Sequence, residues 1–379
     1  MSDKQSEIAL SFLKEKGTNF PTHPKLIEDI TVFSMPDGLG MQFRGLSNPV
    51  VLRGVLVESL LPHLLPLLDG KHDVPQLVSL LAEKGGATDV ASLLMNLFVR
   101  GVIAGDSQNS QSAINYLSKK QSLFLGRRLG VTRNNKSSAE VVEKLSRARI
   151  VLIAEGLLGT STLELLFRSG FENVTVAALD ENEVAIFSEM TGDKLTKAVT
   201  RSAKAIGNFL HENVGSCDLV IAALRNIPVV VFDTINEICV RQSVEWLRAH
   251  DNGSHLEVGP YVKPYDSACF ECMSIRQISA NEHAVEEELY LKSLEDLPGS
   301  VGLYGESIAL ASLASSYLIQ EALRIVTAIE RPALDGSVVS FYSDGNIDQN
   351  TFTRVPRCEV CARGGSFVIP GKTHAGNVS

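Results

Sequence analysis

Four cysteines in two pairs carry the strongest chemical signal: Cys269-Phe270-Glu271-Cys272 and Cys358-Glu359-Val360-Cys361. A C-x-x-C turn sets two thiolates close enough to share one cation, and two such turns complete a closed, tetrahedral Zn²⁺ site. The 85 residues between the pairs exceed the span of a zinc ribbon, so a structural zinc would clip the end of a domain to its middle. The alternative is a set of free thiols or a redox pair. Thioredoxin-like chemistry wants a C-x-x-C that opens a helix directly after a strand, and neither pair reads that way. Cys217 and Cys239 stand among apolar residues and read as ordinary core cysteines.

The second chemical candidate is the turn Ala154-Glu155-Gly156-Leu157-Leu158-Gly159-Thr160. A dinucleotide or ATP turn reads G-x-G-x-x-G between a strand and a helix. Here Gly156 and Gly159 keep the register and Ala154 replaces the first glycine. Glu155 adds a carboxylate near the helix N-terminus, where a phosphate would want the same donors. Asp180 lies at a ribose-binding distance beyond Gly156.

The elements that must position these residues read as two domains. In residues 1–106, strands are expected at Ile30–Phe33, Leu39–Arg44 and Val50–Val55. Three helices follow: Leu56–Leu68 disturbed by Pro62 and Pro66, Asp73–Glu83 with Asp73 as cap, and Asp89–Val99. Val102-Ile103 adds a short edge strand. Residues 107–145 are polar with basic patches, and read as a linker with one or two surface helices. In residues 146–379 the run Ile150–Ile153 is fully apolar, as expected for a buried parallel strand. Further strands are read at Val174–Ala177, Leu219–Ala222 and Val229–Phe232. Helices are read at Ser161–Ser169, Thr234–Ala249 and Gly305–Ile329. The β-α-β alternation predicts an α/β domain with a doubly wound, Rossmann-like sheet, preceded by a winged-helix-like unit.

The chain has 379 residues, with 44% hydrophobic and 21% charged side chains, which are globular values that favour two domains. No apolar run reaches the length of a membrane span, and MSDKQSEIAL lacks the features of a signal peptide, so a cytoplasmic protein is expected. A net charge of −9 argues against a nucleic-acid partner.

From these residues the chain resembles the E1-like (ThiF/MoeB-type) superfamily: Val151 to Asp180, the stretch 217–249, Gly259-Pro260 leading into Cys269, and the late Cys358-x-x-Cys361. Residues 26–105 resemble a RiPP precursor recognition element of the PqqD-like, winged-helix kind. Leu67 to Val74, Leu93-x3-Leu97 and Arg100-Gly101-Val102-Ile103 carry that resemblance. The combination is similar to the ocin-ThiF-like or "C protein" subunit of azoline-forming cyclodehydratases in bacteriocin biosynthesis. Active E1-like members adenylate a carboxylate with ATP. This chain departs from them at Ala154. It has no Arg in Asp180-Glu181-Asn182-Glu183-Val184-Ala185-Ile186, and no carboxylate in Ala223-Leu224-Arg225-Asn226. Lys194 or Lys197 would match the family lysine. Losing the cation-holding acid and the Arg removes most electrostatic stabilisation of a phosphoryl transition state. Gly156, Gly159 and Asp180 are therefore read as a degenerate nucleotide site that does not hold ATP.

The resemblance implies a scaffold without catalytic residues. It would bind a leader peptide and present the precursor to a YcaO-type partner. The related domains hold the leader between the third strand and the third helix, which points to Val50, Val51, Leu52 and Arg53 on one side and Leu94 and Phe98 on the other. Such domains form homodimers, and the helix at 305–329 is the candidate interface. Competing readings are an ATP-dependent adenylating enzyme acting on a peptide or sulfur-carrier C-terminus, a nicotinamide-dependent dehydrogenase, and a winged-helix DNA-binding regulator.

Overall fold

Short amphipathic segments bury their apolar stripes only against one another, and the first part of the chain does this around one small core. The computed structural model describes residues 2–14, 20–105, 116–192, 195–225, 227–280, 282–286, 289 and 305–362. The chain divides into two units, Met1–Leu145 with Thr327–Arg331, and Ser146–Val326 with Pro332–Ser379.

The first unit begins with α1 (Ser2–Lys14), which the sequence reading did not anticipate, followed by β1 (Pro24–Leu26), β2 (Thr31–Ser34), β3 (Met41–Arg44) and β4 (Val50–Leu52). Strands β2, β3 and β4 form an antiparallel sheet in that order, which leaves β4 at an edge. The expected helix at 56–68 is instead α2 (Val55–Ser59), α3 (Leu61–Leu64) and a 3₁₀ turn (Leu65–Leu67). Pro62 and Pro66 enforce the breaks, each standing in the first turn of the segment that follows. In α4 (Val74–Leu80), Asp73 caps as expected: its Oδ1 accepts from the Gln76 N–H at 2.8 Å, and Gln76 Oε1 accepts from the Asp73 N–H at 2.9 Å. Helix α5 (Ala87–Val99) supplies the centre of the core, and α1 packs against both α4 and α5 through buried Ala9 and Leu13. Strand β5 (Ile103–Gly105) pairs antiparallel with β1. The polar stretch after it carries α6 (Tyr116–Gly126) and α7 (Ser138–Arg147).

The second unit is built on β6 (Arg149–Ala154), α8 (Gly156–Arg168), β7 (Asn173–Ala178), α9 (Val184–Thr191), β8 (Thr196–Ala198), α10 (Ala203–Asn213) and β9 (Leu219–Arg225). It continues with α11 (Val229–Arg241), β10 (Trp246–Asp251), β11 (His255–Val262), α12 (Phe270–Ala280), α13 (Ile308–Thr327), β12 (Ser337–Tyr342) and β13 (Ile347–Thr351). One eight-stranded sheet runs β13-β12-β11-β10-β9-β6-β7-β8. Strands β8, β7, β6, β9 and β10 are parallel, and β11 to β13 extend the sheet antiparallel. Counting from β6, the parallel part has the order 3-2-1-4-5, so the strand order reverses between β6 and β9. Open α/β sheets bind ligands outside the carboxyl ends of the strands at such a switch point.

Two readings need correction. Val229–Phe232 is not a strand but the first turn of α11. Its β-branched run favours a strand, but Pro228 caps a helix there, and Val231, Phe232, Ile235 and Cys239 recur at helical spacing into the core. The helix expected to reach Ala249 stops at Arg241, and Trp246–Asp251 is a buried strand. The crossover expected at 280–300 lies mostly outside the described residues. Among the described residues, no helix is long and apolar enough to cross a membrane.

Candidate functional site

The switch point is formed by Glu155 and Gly156 after β6 and by Arg225 at the end of β9. Gly156 has a φ of 69°, a conformation open to glycine at little cost, and the Glu306 carboxylate occupies the space a Cβ would need. Gly159 lets α8 approach the end of β6, since a Cβ there would stand 3.0 Å from the Ala154 Cβ. The first two N–H groups of α8 point at two carboxylates. The Gly156 N–H donates to Glu183 at 3.0 Å and the Leu157 N–H donates to Glu306 Oε2 at 2.7 Å. A helix N-terminus favours negative charge, and two carboxylates of this chain supply it here.

Two arginines complete the cluster. Arg225 pairs with Glu306 Oε1 at 3.2 Å, and Arg201 Nε pairs with Glu155 Oε1 at 3.1 Å. Glu155 occupies the cap position of α8, but its side chain makes no cap hydrogen bond. Its side chain is buried, with Oε2 lacking a hydrogen-bond partner. Burial pushes its carboxyl up to about 7, against the pull of Arg201 and Arg225. Burial raises Glu183 as well, with Asp180 and Glu306 adding repulsion. Asp180 stands after β7, but its carboxylate accepts from the Asn182 N–H at 2.8 Å and from Asn182 Nδ2 at 2.9 Å. Lys197 on β8 pairs with Glu212 at 2.9 Å, and Lys194 lies outside the described residues. The sequence reading missed the roles of Glu183, Glu306 and Arg201. Glu183 had a local signal, an acid three residues after the strand-end acid. Glu306 had none, because it comes from the segment before α13, 149 residues from Leu157.

The four paired cysteines meet in the same unit. Their sulfurs all lie within 4.8 Å of one another and all four residues are buried. Cys269 Sγ is 3.9 Å from Cys272 and 3.7 Å from Cys358, and Cys272 is 3.5 Å from Cys361. A disulfide requires about 2.05 Å. A tetrahedral cation with metal–sulfur bonds of about 2.3 Å holds its sulfurs roughly 3.8 Å apart, so the donor set fits such an ion. The first pair does open a helix, α12, but the loop 263–269 separates it from β11. The Val355 N–H donates to Cys272 Sγ at 3.3 Å. Arg354 donates to the carbonyls of Tyr265 at 2.9 Å and Cys361 at 2.6 Å. These bonds orient the two cysteine turns toward each other, as outer partners do around metal ligands.

In the first unit the six residues expected to line a peptide groove divide. Val50, Leu52 and Leu94 belong to the core, with Leu94 fully buried. Val51 and Phe98 are half-buried and Arg53 is exposed, donating from Nε to the Leu39 carbonyl at 3.2 Å. Phe98 meets Phe20 edge-to-face at 5.1 Å.

No protein-family model matches the chain, and no curated protein matches its sequence. Solved structures do match. E. coli MccB with ATP aligns at 14% identity and a TM-score of 0.64, over 89% of this chain and 99% of that one. The microcin C7 biosynthetic enzyme MccB in complex with N-formylated MccA aligns at 16% identity and a TM-score of 0.66, over the same shares. The heterocyclase TruD aligns at 15% identity and a TM-score of 0.59, over 90% of this chain but 43% of that one. The chain therefore shares its fold with MccB over nearly the whole length of that enzyme, and with less than half of TruD.

Proposed function

We propose that the chain is the peptide-binding scaffold subunit of a complex that modifies a ribosomally made peptide, of the azoline-forming cyclodehydratase kind, and that it adenylates nothing itself. The observation that carries this reading is the pair of carboxylates, Glu183 and Glu306, on the Gly156 and Leu157 N–H groups. A nucleotide phosphate needs those donors. Its transfer also needs net positive charge, whereas the Glu183 and Glu306 carboxylates already stand against Arg201 and Arg225 at this point. The shared fold of MccB, crystallised with MccA, supports a peptide as partner, and that of the heterocyclase TruD supports a ring-forming complex.

In this reading residues 1–106 are a winged-helix recognition element and 146–379 an E1-like domain. The leader adds to the free edge of β4, where main-chain bonds give affinity and side-chain contacts give specificity. Val51 and Arg53 are the residues of that edge with exposed surface. A YcaO-type partner carries out the ATP-dependent cyclisation in the cytoplasm, and the scaffold raises the effective concentration of the core peptide at its site. Zn²⁺ sits among Cys269, Cys272, Cys358 and Cys361 as a structural ion. Two copies associate through α13, whose Ile308 and Leu313 are 59% and 46% exposed.

Val51→Pro removes one N–H of β4 and distorts the strand. It is expected to weaken binding of the leader peptide encoded beside the gene by at least about tenfold. Fluorescence anisotropy on the folded variant reads this, and unchanged affinity would place the peptide elsewhere. A second reading, ATP-dependent adenylation, is favoured by the shared fold of MccB with ATP. It requires Glu183 and Glu306 to withdraw from α8.

A further inference from the structure

The chain is acidic overall, yet residues 100–147 hold nine Lys and Arg against three acids. Several of these cations are used internally. Arg127 pairs with Asp29, Arg128 with Glu330, and Lys144 with Glu140. Arg100, Arg133 and Lys136 are exposed and make no ion pair among the described residues.

Arg133 and Lys136 line a cavity within the first unit, and Arg100 precedes Gly101, which packs against its wall. Its lining includes Pro21, Phe98, Ile103 and Leu129 beside the two cations, with one acid, Glu140, which pairs with Lys144 at 3.1 Å; its volume is about 120 Å³. An engineered cavity of about 150 Å³ admits benzene, so this one is of a size for a single apolar side chain. Gly101 and Gly130 pack backbone to backbone, which brings Arg100 beside this wall; a Cβ on Gly130 would stand 2.3 Å from the Gly101 Cα. The wall is held in place by its own polar bonds. Arg133 donates to the Val99 carbonyl at 2.6 Å, and Thr132 to the Ala328 carbonyl at 2.6 Å. Buried Asn135 donates to the Thr327 carbonyl at 2.9 Å and accepts from Lys144 at 2.6 Å. A surface charge run ordinarily just solvates a face. Here three cations outside any ion pair of the described residues stand beside a pocket with an apolar floor of Pro21, Phe98, Ile103 and Leu129 and a fixed polar rim.

We propose that this cavity is a second contact for the precursor peptide, taking one apolar side chain of an acidic segment while Arg100, Arg133 and Lys136 pair with flanking carboxylates. This rests on the peptide-binding reading above and shares Phe98 with the groove expected beside β4, but its other contacts lie away from that edge. A peptide fits better than a nucleic acid, because the pocket is the size of one side chain and the chain as a whole repels phosphate backbones. Charge pairs at an exposed rim act mainly through steering and fade with salt.

The test is fluorescence anisotropy on the full-length protein with a labelled dodecapeptide of Asp, Glu and Gly carrying one central Leu. Binding is expected at low salt and should weaken as salt rises. Exchanging the Leu for Gly should cost at least about tenfold, and so should the double reversal Arg100→Glu with Lys136→Glu. The single variant Lys136→Gln should lose a smaller share while melting as the parent does, and Val51→Pro should bind this probe as the parent does. No binding of the acidic probe, or equal affinity in the double reversal, would overturn the proposal. A single-stranded oligonucleotide that binds more tightly than the peptide, and is released by the double reversal, would instead assign the patch to nucleic acid. Native leader binding lost in Val51→Pro but intact in the double reversal would remove this surface and leave the proposed function standing.

Discussion

Cys358→Ser is expected to strip the metal from the protein and to unfold or aggregate the second unit. The four sulfurs are buried at van der Waals distances, and four thiolates this close repel one another unless a cation sits among them. The ion would join the start of α12 to the segment after β13. Structural zinc supplies about 10–16 kcal/mol in small zinc domains, as much as the whole stability of a typical domain. Even a fraction of that, about 5 kcal/mol, lowers the melting temperature by at least ~10 °C in a unit of this size. Metal content by mass spectrometry and a thermal melt on the same sample check this. Full metal content with an unchanged melt would show that the closed four-cysteine site is wrong.

Glu155→Gln is expected to stabilise the protein at pH 8 and to flatten part of its pH dependence. In the fold, burial holds the Glu155 carboxyl at about 7, whereas an unfolded glutamate titrates at 4.5. Between these values the unfolded state has released a proton that the folded state still holds. Stability from this group is therefore fully present below pH 4.5, falls as pH rises to about 7, and is constant above. The whole effect is on the order of 3 kcal/mol. Glutamine stays neutral at every pH and escapes the loss. Melting curves from pH 4 to 8 read it, and parallel curves for parent and variant would mean that Glu155 is ionised throughout in the fold.

The meeting of the two cysteine turns was legible because C-x-x-C spacing sets two sulfurs side by side whatever the sequence around it. The parallel strands were legible because Ile150–Ile153 and Leu219–Ala222 are covered on both faces and so read as unbroken apolar runs. Val229–Phe232 was not legible as a helix, since its propensity pointed to a strand and only packing against the sheet decides otherwise. The departures from a nucleotide turn at Ala154 and after β9 were readable in the sequence. The contact of Glu306 with Leu157 was not, because it spans 149 residues and no local pattern marks a glutamate for it. Leu94 illustrates the opposite difficulty: it lies on the helix expected to face a peptide, but full burial places it in the core.

The central claim is that carboxylates of the chain itself hold the donors a nucleotide would need. Calorimetric titration of the full-length, metal-replete protein with Mg-ATP tests it most directly. No binding heat is expected up to millimolar nucleotide. Clear micromolar binding would mean that Glu183 and Glu306 give way to phosphate, and the adenylating-enzyme reading would replace the scaffold.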